Sequence, residues 1–242
     1  MAVFEIVEGK PGQGKSLYLA KKARDLVKRN KKYYRRTGEV RYIYSNAKFS
    51  PEFEEFSIVN GKRLIRYWSN LSDVLRLRNV DLLWDEIAVE MDTRNFKDLP
   101  AEARRFLSLY RRRGIDIYAN TQDFSMVDIR CRLMTTHLYR MIKVIGSPDP
   151  SPTKPPVKTI WGFVVMREVL NISASDPHEK DLVMPSRVFC IRREDVELYD
   201  THEEIQTGDP PPLQHIYQYC EHRDEPNPAT GKICTYSRTI HR

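Results

Sequence analysis

Apolar residues in the first two thirds of the chain fall into two patterns that alternate along it. Short unbroken runs read as buried strands, and runs spaced by three and four residues read as helices. Ala2 to Val7 is such a strand and leads into a glycine-containing turn. Leu17, Ala20, Ala23, Leu26 and Val27 keep the helical spacing and predict a helix from Ser16 to about Asn30. Val40 to Ser45 reads as a strand. Phe56 to Val59 and Leu64 to Trp68 flank Asn60-Gly61, the signature of a hairpin. Ser69 or Ser72 is suited to cap a short helix through Leu77. Val80 to Trp84 is a further strand. Pro100 suits a first helical position and Gly114 a helix stop. Ile115 to Ala119 and His137 to Ile145 complete the strands of this part.

Gly146 to Pro156 (GSPDPSPTKPP) breaks the pattern, because its prolines exclude helix and central strand. Beyond it, Val157 to Val169 and Arg187 to Ile191 read as β. Pro210 to Pro212 sets off a tail. The expected organisation is one domain over residues 1–205, with 146–156 as an internal loop, and a tail over 206–242. Strands alternating with helices imply an α/β fold with a mostly parallel sheet and helices on both faces.

Composition narrows the classes. With 242 residues, 40% hydrophobic and 30% charged, the chain can bury a core. Forty Lys and Arg against 33 Asp and Glu leave +7, a modest bias toward polyanions. No apolar run approaches the roughly 20 residues of a membrane span, and MAVFEIVEG lacks the basic opening of a signal peptide. The cysteines, Cys131, Cys190, Cys220 and Cys234, are too sparse for a disulfide scaffold and suit a reducing compartment. His215, Cys220, His222, Cys234 and His241 are zinc-type donors, but their spacing forms no chelating pairs.

The chemistry concentrates in three segments. Gly9-Lys10-Pro11-Gly12-Gln13-Gly14-Lys15-Ser16 fits GxxxxGK[ST] between a strand and a helix. Glycines let main-chain N–H groups converge on phosphate oxygens, and the helix start adds its positive end. The nucleotide site is assigned to Gly9 through Leu17, with Lys15 on the β- and γ-phosphates and the Ser16 hydroxyl on Mg²⁺. Val80-Asp81-Leu82-Leu83-Trp84-Asp85-Glu86 supplies acids at a strand end. Asp85 is the metal residue, with Asp81 as its rival, and Glu86 activates water. Ile115 to Gln122 ends a strand in amides and a hydroxyl. Gln122 is placed as the γ-phosphate sensor, with Asn120 and Thr121 as alternatives.

Arg111, Arg112 and Arg113 precede that strand. A helix dipole explains them simply; an arginine finger for a neighbouring subunit's nucleotide is the sharper reading, with Arg104 and Arg105 competing. Lys21, Lys22, Arg24, Lys28, Arg29, Lys31, Lys32, Arg35 and Arg36, interrupted by Tyr33 and Tyr34, are either a solvated helix face or a nucleic-acid contact. No clean amphipathic basic helix points to lipid.

GKPGQGKS, LLWDE, RRRGIDIYANTQ and VFCIRREDVELYDTHE, in this order, resemble the zonula occludens toxin (Zot) family, the assembly ATPases of filamentous phages. The first two motifs occur in most P-loop ATPases; the last two carry the resemblance, which spans residues 1 to about 205. It implies a P-loop NTPase of the FtsK–HerA class: a RecA/FtsK-like sheet with a short β-rich C-terminal extension, ATP and Mg²⁺ as ligands, and a homo-oligomeric ring, a hexamer. It further implies single-stranded DNA and phage coat or assembly proteins as partners, in the host cytoplasm at the inner membrane. Family members carry a membrane span after the ATPase domain, whereas this chain reaches Arg242 without one. Peripheral recruitment by a partner is therefore expected, or service as the packaging ATPase of another small DNA virus. A nucleotide-gated adaptor for coat proteins and a small kinase are the other classes.

Overall fold

The computed structural model describes residues 2–92, 101–146, 160–169 and 186–192, together with Asp195 and Leu198. Its backbone is one eight-stranded sheet with a separate two-stranded hairpin. The strands are β1 (Phe4–Glu8), β2 (Ile43–Ser45), β3 (Ile58–Val59), β4 (Lys62–Arg63), β5 (Ile65–Tyr67), β6 (Asp81–Trp84), β7 (Asp116–Thr121), β8 (His137–Gly146), β9 (Ile160–Val169) and β10 (Arg187–Arg192). The helices are α1 (Lys15–Thr37), α2 (Pro51–Phe56), α3 (Leu71–Val74), α4 (Ala101–Leu109) and α5 (Ile129–Met134).

The large sheet runs in the order β10-β9-β8-β1-β7-β6-β2-β5. Strands β8, β1, β7, β6, β2 and β5 are mutually parallel, and β9 and β10 extend the sheet antiparallel. Ile43, Ile65, Leu83 and Tyr118 face Leu19, Ala23, Leu26 and Val27 of α1 and Phe53 of α2. Phe4, Ile6, Leu82, Trp84, Ile117 and Ala119 face Val74 of α3, Ala103, Phe106 and Leu107 of α4 and Cys131 of α5. Helices thus cover both faces, and the strands are buried on both sides, as continuous apolar runs require.

Several boundaries depart from the sequence reading for identifiable reasons. Helix α1 runs 23 residues, two turns beyond Asn30, because its polar end stays helical until Gly38 stops it at φ 75°. Strand β2 occupies only the last three residues of the Val40–Ser45 run. Phe56 belongs to α2, which starts at Pro51 with the Ser50 hydroxyl accepting the Phe53 N–H. The hairpin is real, with Asn60 at φ 46° and Gly61 at φ 71°. Its second strand is Lys62–Arg63, however; Ile65–Tyr67 leaves the hairpin and joins β2 in parallel.

Helix α3 is one turn long and capped at Asn70, not at Ser69 or Ser72; the Asp73 carboxylate accepts the N–H groups of Asn70 and Ser69. Helix α4 ends at Leu109, five residues before Gly114, and a tight turn with Gly114 at φ 68° delivers the chain to β7. Helix α5 was not legible in the apolar pattern; Asp128 caps it by accepting the Arg130 N–H. Pro100, the loop beyond Gly146 and the 206–242 tail lie outside the described residues. No helix among the described residues is long and apolar enough to cross a membrane.

Candidate functional site

Because β1, β7, β6 and β2 are parallel neighbours, their C-terminal ends meet on one edge. The loop Gly9–Gly14 follows β1, Asp85 and Glu86 follow β6, Gln122 follows β7 and Asn46 follows β2. One strand separates β1 from β6, so the acids stand about two strand spacings, ~9–10 Å, from the phosphate loop.

The loop is built by its glycines. Gly12 and Gly14 sit at φ 77° and 85°, in the left-handed region. A Cβ on Gly14 would overlap Val144, and one on Gly9 would meet the Met141 Cβ at 2.7 Å. Side chains of β8 therefore form the floor on which the loop rests. The Gly9 N–H donates to the Thr121 carbonyl at 3.2 Å, which joins the loop to β7. Gln13 closes the turn: its Oε1 accepts the Lys10 N–H at 2.7 Å, and its N–H donates to the Lys10 carbonyl. Lys15 Nζ bonds the Gly9 carbonyl at 2.7 Å and lies across the loop mouth. Lys10, Pro11 and Gly12 are exposed, and Gln13 through Leu17 are half-buried.

The acids are held by amides. The Asn120 Nδ2 donates to Asp85 Oδ1 at 2.5 Å, and its Oδ1 accepts the Glu86 N–H at 2.7 Å. The Asn120 carbonyl accepts the Ile87 N–H. Across the other neighbour, Asn46 Oδ1 accepts the Asp85 N–H at 2.7 Å while its Nδ2 donates to the Asp85 carbonyl at 2.9 Å. Glu86 adopts φ 52°, a conformation in which a non-glycine residue costs roughly 1–2 kcal/mol. The four amide contacts fix it there. Its carboxylate accepts the Thr121 hydroxyl at 3.3 Å and the Gln122 N–H at 3.1 Å.

The structure thus brings together the phosphate loop, Asp85, Glu86 and Gln122 at one edge. Gln122 meets Glu86 through its main chain, with its side chain exposed. Asn120, weighed in the sequence only as a sensor, is the residue that couples both acids. Asn46 and Glu8 went unassigned. Glu8, buried just before Gly9, accepts Arg140 Nε and the Phe124 N–H. Glu8 ends β1 and Asn46 follows β2, and the rule that polar groups gather at parallel strand ends would have found them. Downstream of the acids, burial pushes the Glu90 carboxyl above its ordinary range, with Asp85 and Glu86 adding to the rise; the Trp84 indole N–H donates to it.

One reading is revised by position. Asp81 is no rival for the metal: it begins β6, at the opposite end from Asp85, and is fully buried. It accepts from Asn30 and is neutralised by Arg29 and Arg41, which also bond it. Arg111, Arg112 and Arg113 also lie at that far end, before β7, about 17 Å of strand from Gln122. They do not join the nucleotide site of their own chain. Arg113 donates to the Leu75 carbonyl, and Arg111 packs on the Tyr110 ring.

No protein-family model and no curated protein matches the sequence. Among solved structures, the N-terminal domain of zonular occludens toxin from Neisseria meningitidis aligns over 83% of this chain and 100% of its own, at 18% identity and a TM-score of 0.51. The chain folds as a P-loop NTPase. The genome packaging NTPase B204 from Sulfolobus turreted icosahedral virus 2, in complex with sulfate, aligns over 77% of this chain and 95% of its own, at 12% identity and a TM-score of 0.44. In this P-loop NTPase fold the first strand carries the phosphate loop and two inner strands carry the acids and the amide that aligns them.

Proposed function

We propose that the protein is an ATP-hydrolysing motor for viral DNA in virion assembly or genome packaging. The observation that carries hydrolysis is the grip on the acids: Asn120 bonds Asp85 and the Glu86 main chain together, next to the loop that would hold the triphosphate. A kinase needs no carboxylate fixed beside the phosphates as a water base, whereas hydrolysis does.

In this reading the loop N–H groups and the start of α1 bind the phosphates, and Lys15 moves from the Gly9 carbonyl to the β- and γ-oxygens. Glu86 takes the proton of the attacking water. Ser16 and Asp85 supply the hydroxyl and carboxylate oxygens that suit Mg²⁺. Such an ion needs only one or two protein ligands when phosphates complete its shell, and among the described residues no cluster of three acidic, His or Cys side chains offers a site without them. When bound, the ion neutralises charge on the phosphate oxygens.

The finer reading is a homo-oligomeric ring, a hexamer. One of Arg111, Arg112 and Arg113 would reach the neighbour's nucleotide, since none reaches its own. Single-stranded DNA of a filamentous phage is the cargo, coat or assembly proteins are the partners, and the host cytoplasm beside the inner membrane is the place of action. The test is Glu86→Gln. Nucleotide binding persists and phosphate release falls at least ~100-fold, within the range for loss of a general base. Unchanged phosphate release removes the hydrolytic reading.

A further inference from the structure

The strand-start end of the sheet, opposite the phosphate loop, carries a surface of its own. Lys32, Arg35 and Arg36 are exposed on the last turns of α1, and Arg76 and Arg78 are exposed in the link from α3 to β6. The two segments are joined. Arg41, just after α1, donates through Nη1 to Asn79 Oδ1 at 2.8 Å and to the Gly114 carbonyl at 3.1 Å. The Asn79 N–H donates to the Arg113 carbonyl at 2.7 Å.

Two of the acids at this end are paired with cations, and two are engaged by neutral donors and keep their charge. Asp81 and Asp116 are neutralised by Arg29 and Arg41. Glu39 accepts the Tyr33 hydroxyl, and Asp73 accepts the Ser69 and Asn70 N–H groups. None of the five exposed cations has a carboxylate partner among the described residues. A helix dipole accounts for Arg35 and Arg36 at the end of α1. It does not account for Arg76 and Arg78, which follow a helix of only four residues.

We propose that Lys32, Arg35, Arg36, Arg76 and Arg78 bind the phosphate backbone of a nucleic-acid strand, at the end of the sheet remote from the nucleotide. The choice of DNA as cargo rests on the proposed function, and the location rests on the charge alone. Four of the five are arginines, whose planar forks fit phosphate oxygens. Cations gathered at one end of the sheet can hold a backbone without reading sequence. Burial, and secondarily the Arg35 charge, lower the Lys31 pKa. A lipid surface is the poorer match. The nearby apolar ring, Phe56, is covered by the Lys31 ammonium at 4.4 Å, and the other large exposed apolar residues, such as Met126, Leu133 and Val188, lie on other segments.

The test is the full-length Arg35→Gln/Arg36→Gln/Arg76→Gln/Arg78→Gln variant, with Arg76→Gln/Arg78→Gln as a milder second. Affinity for a fluorescent single-stranded oligonucleotide and for phosphatidylglycerol vesicles is measured across a salt series, beside nucleotide binding and DNA-free hydrolysis. The quadruple variant loses at least ~10-fold in affinity. Its plot of log affinity against log salt flattens by about 3, from ~0.7 per phosphate contact over four contacts. The double variant shows about half that flattening, and neither variant changes nucleotide binding. Unchanged affinity and slope in both variants overturn the proposal, as does a loss confined to phosphatidylglycerol vesicles. If the wild type binds no triphosphate yet shows this arginine-dependent DNA binding, the hydrolytic reading fails and the surface stands.

Discussion

The side-chain amide of Asn120 stands 2.5 Å from the carboxylate of Asp85, and the same amide receives the main-chain N–H of the next residue, Glu86. One side chain from β7 therefore sets the positions of the two acids that follow β6. Asn120→Ala removes both bonds and leaves the Glu86 N–H and the Asp85 oxygen without these partners. The expected stability loss is ~1–3 kcal/mol. Turnover falls on the order of 10²-fold, the penalty of a misplaced reacting group, with nucleotide affinity kept. Chemical denaturation and steady-state kinetics check this. A rise in KM with kcat unchanged would show that Asn120 serves binding instead.

Glycine substitutions in the loop separate conformation from space. Gly12→Ala meets only the cost of φ 77°, because nothing lies within 4 Å of the added carbon; roughly 1–2 kcal/mol is expected. Gly14→Ala meets the same cost at φ 85° and also collides with Val144, which adds ~1–3 kcal/mol. Thermal unfolding ranks the two variants, and Val144→Ala rescues Gly14→Ala but not Gly12→Ala. Equal losses, or no rescue, would mean that β8 does not form the floor of the loop.

The site was legible in the sequence wherever one local rule governs it. The glycine spacing of Gly9 to Ser16 and the Asp85-Glu86 pair after an apolar strand placed themselves without tertiary information. What joins them did not. The pairing of Asn120 with Asp85 depends on β7 lying beside β6, an adjacency between segments 35 residues apart. Asp81 misled because an acid at a strand start and one at a strand end look alike until the sheet direction is known; in the fold it pairs with Arg29 and Arg41. Helix α1 was read short because polar residues after Asn30 carry no apolar stripe, and α2 and α5, six residues each, are too short to show a helical period. The alternation of strand and helix still gave the parallel sheet and the covered faces correctly.

Glu90 gives a pH signature of the acidic edge. Its folded pKa is raised by burial, then by the charges of Asp85 and Glu86. The folded state thus holds this proton more tightly than the unfolded chain, so the group costs stability once ionised. That cost is absent below the ordinary carboxylate pKa of about 4.3 and complete above the raised folded value. Glu90→Gln keeps an acceptor for the Trp84 indole and cannot ionise. Relative to wild type, the variant gains stability as pH climbs through that window. Parallel stability profiles for the two proteins would contradict the assignment.

The central claim is that the backbone loop after β1 holds a triphosphate with the help of Lys15. Isothermal titration calorimetry of Mg²⁺-ATP into the full chain tests it most directly, with Lys15→Ala as the paired variant. Saturable one-to-one binding by the wild type, weakened at least ~100-fold by loss of the charged contact, about 2.7 kcal/mol, is the predicted result. Absence of binding by the wild type, or equal affinity in the variant, would contradict the account.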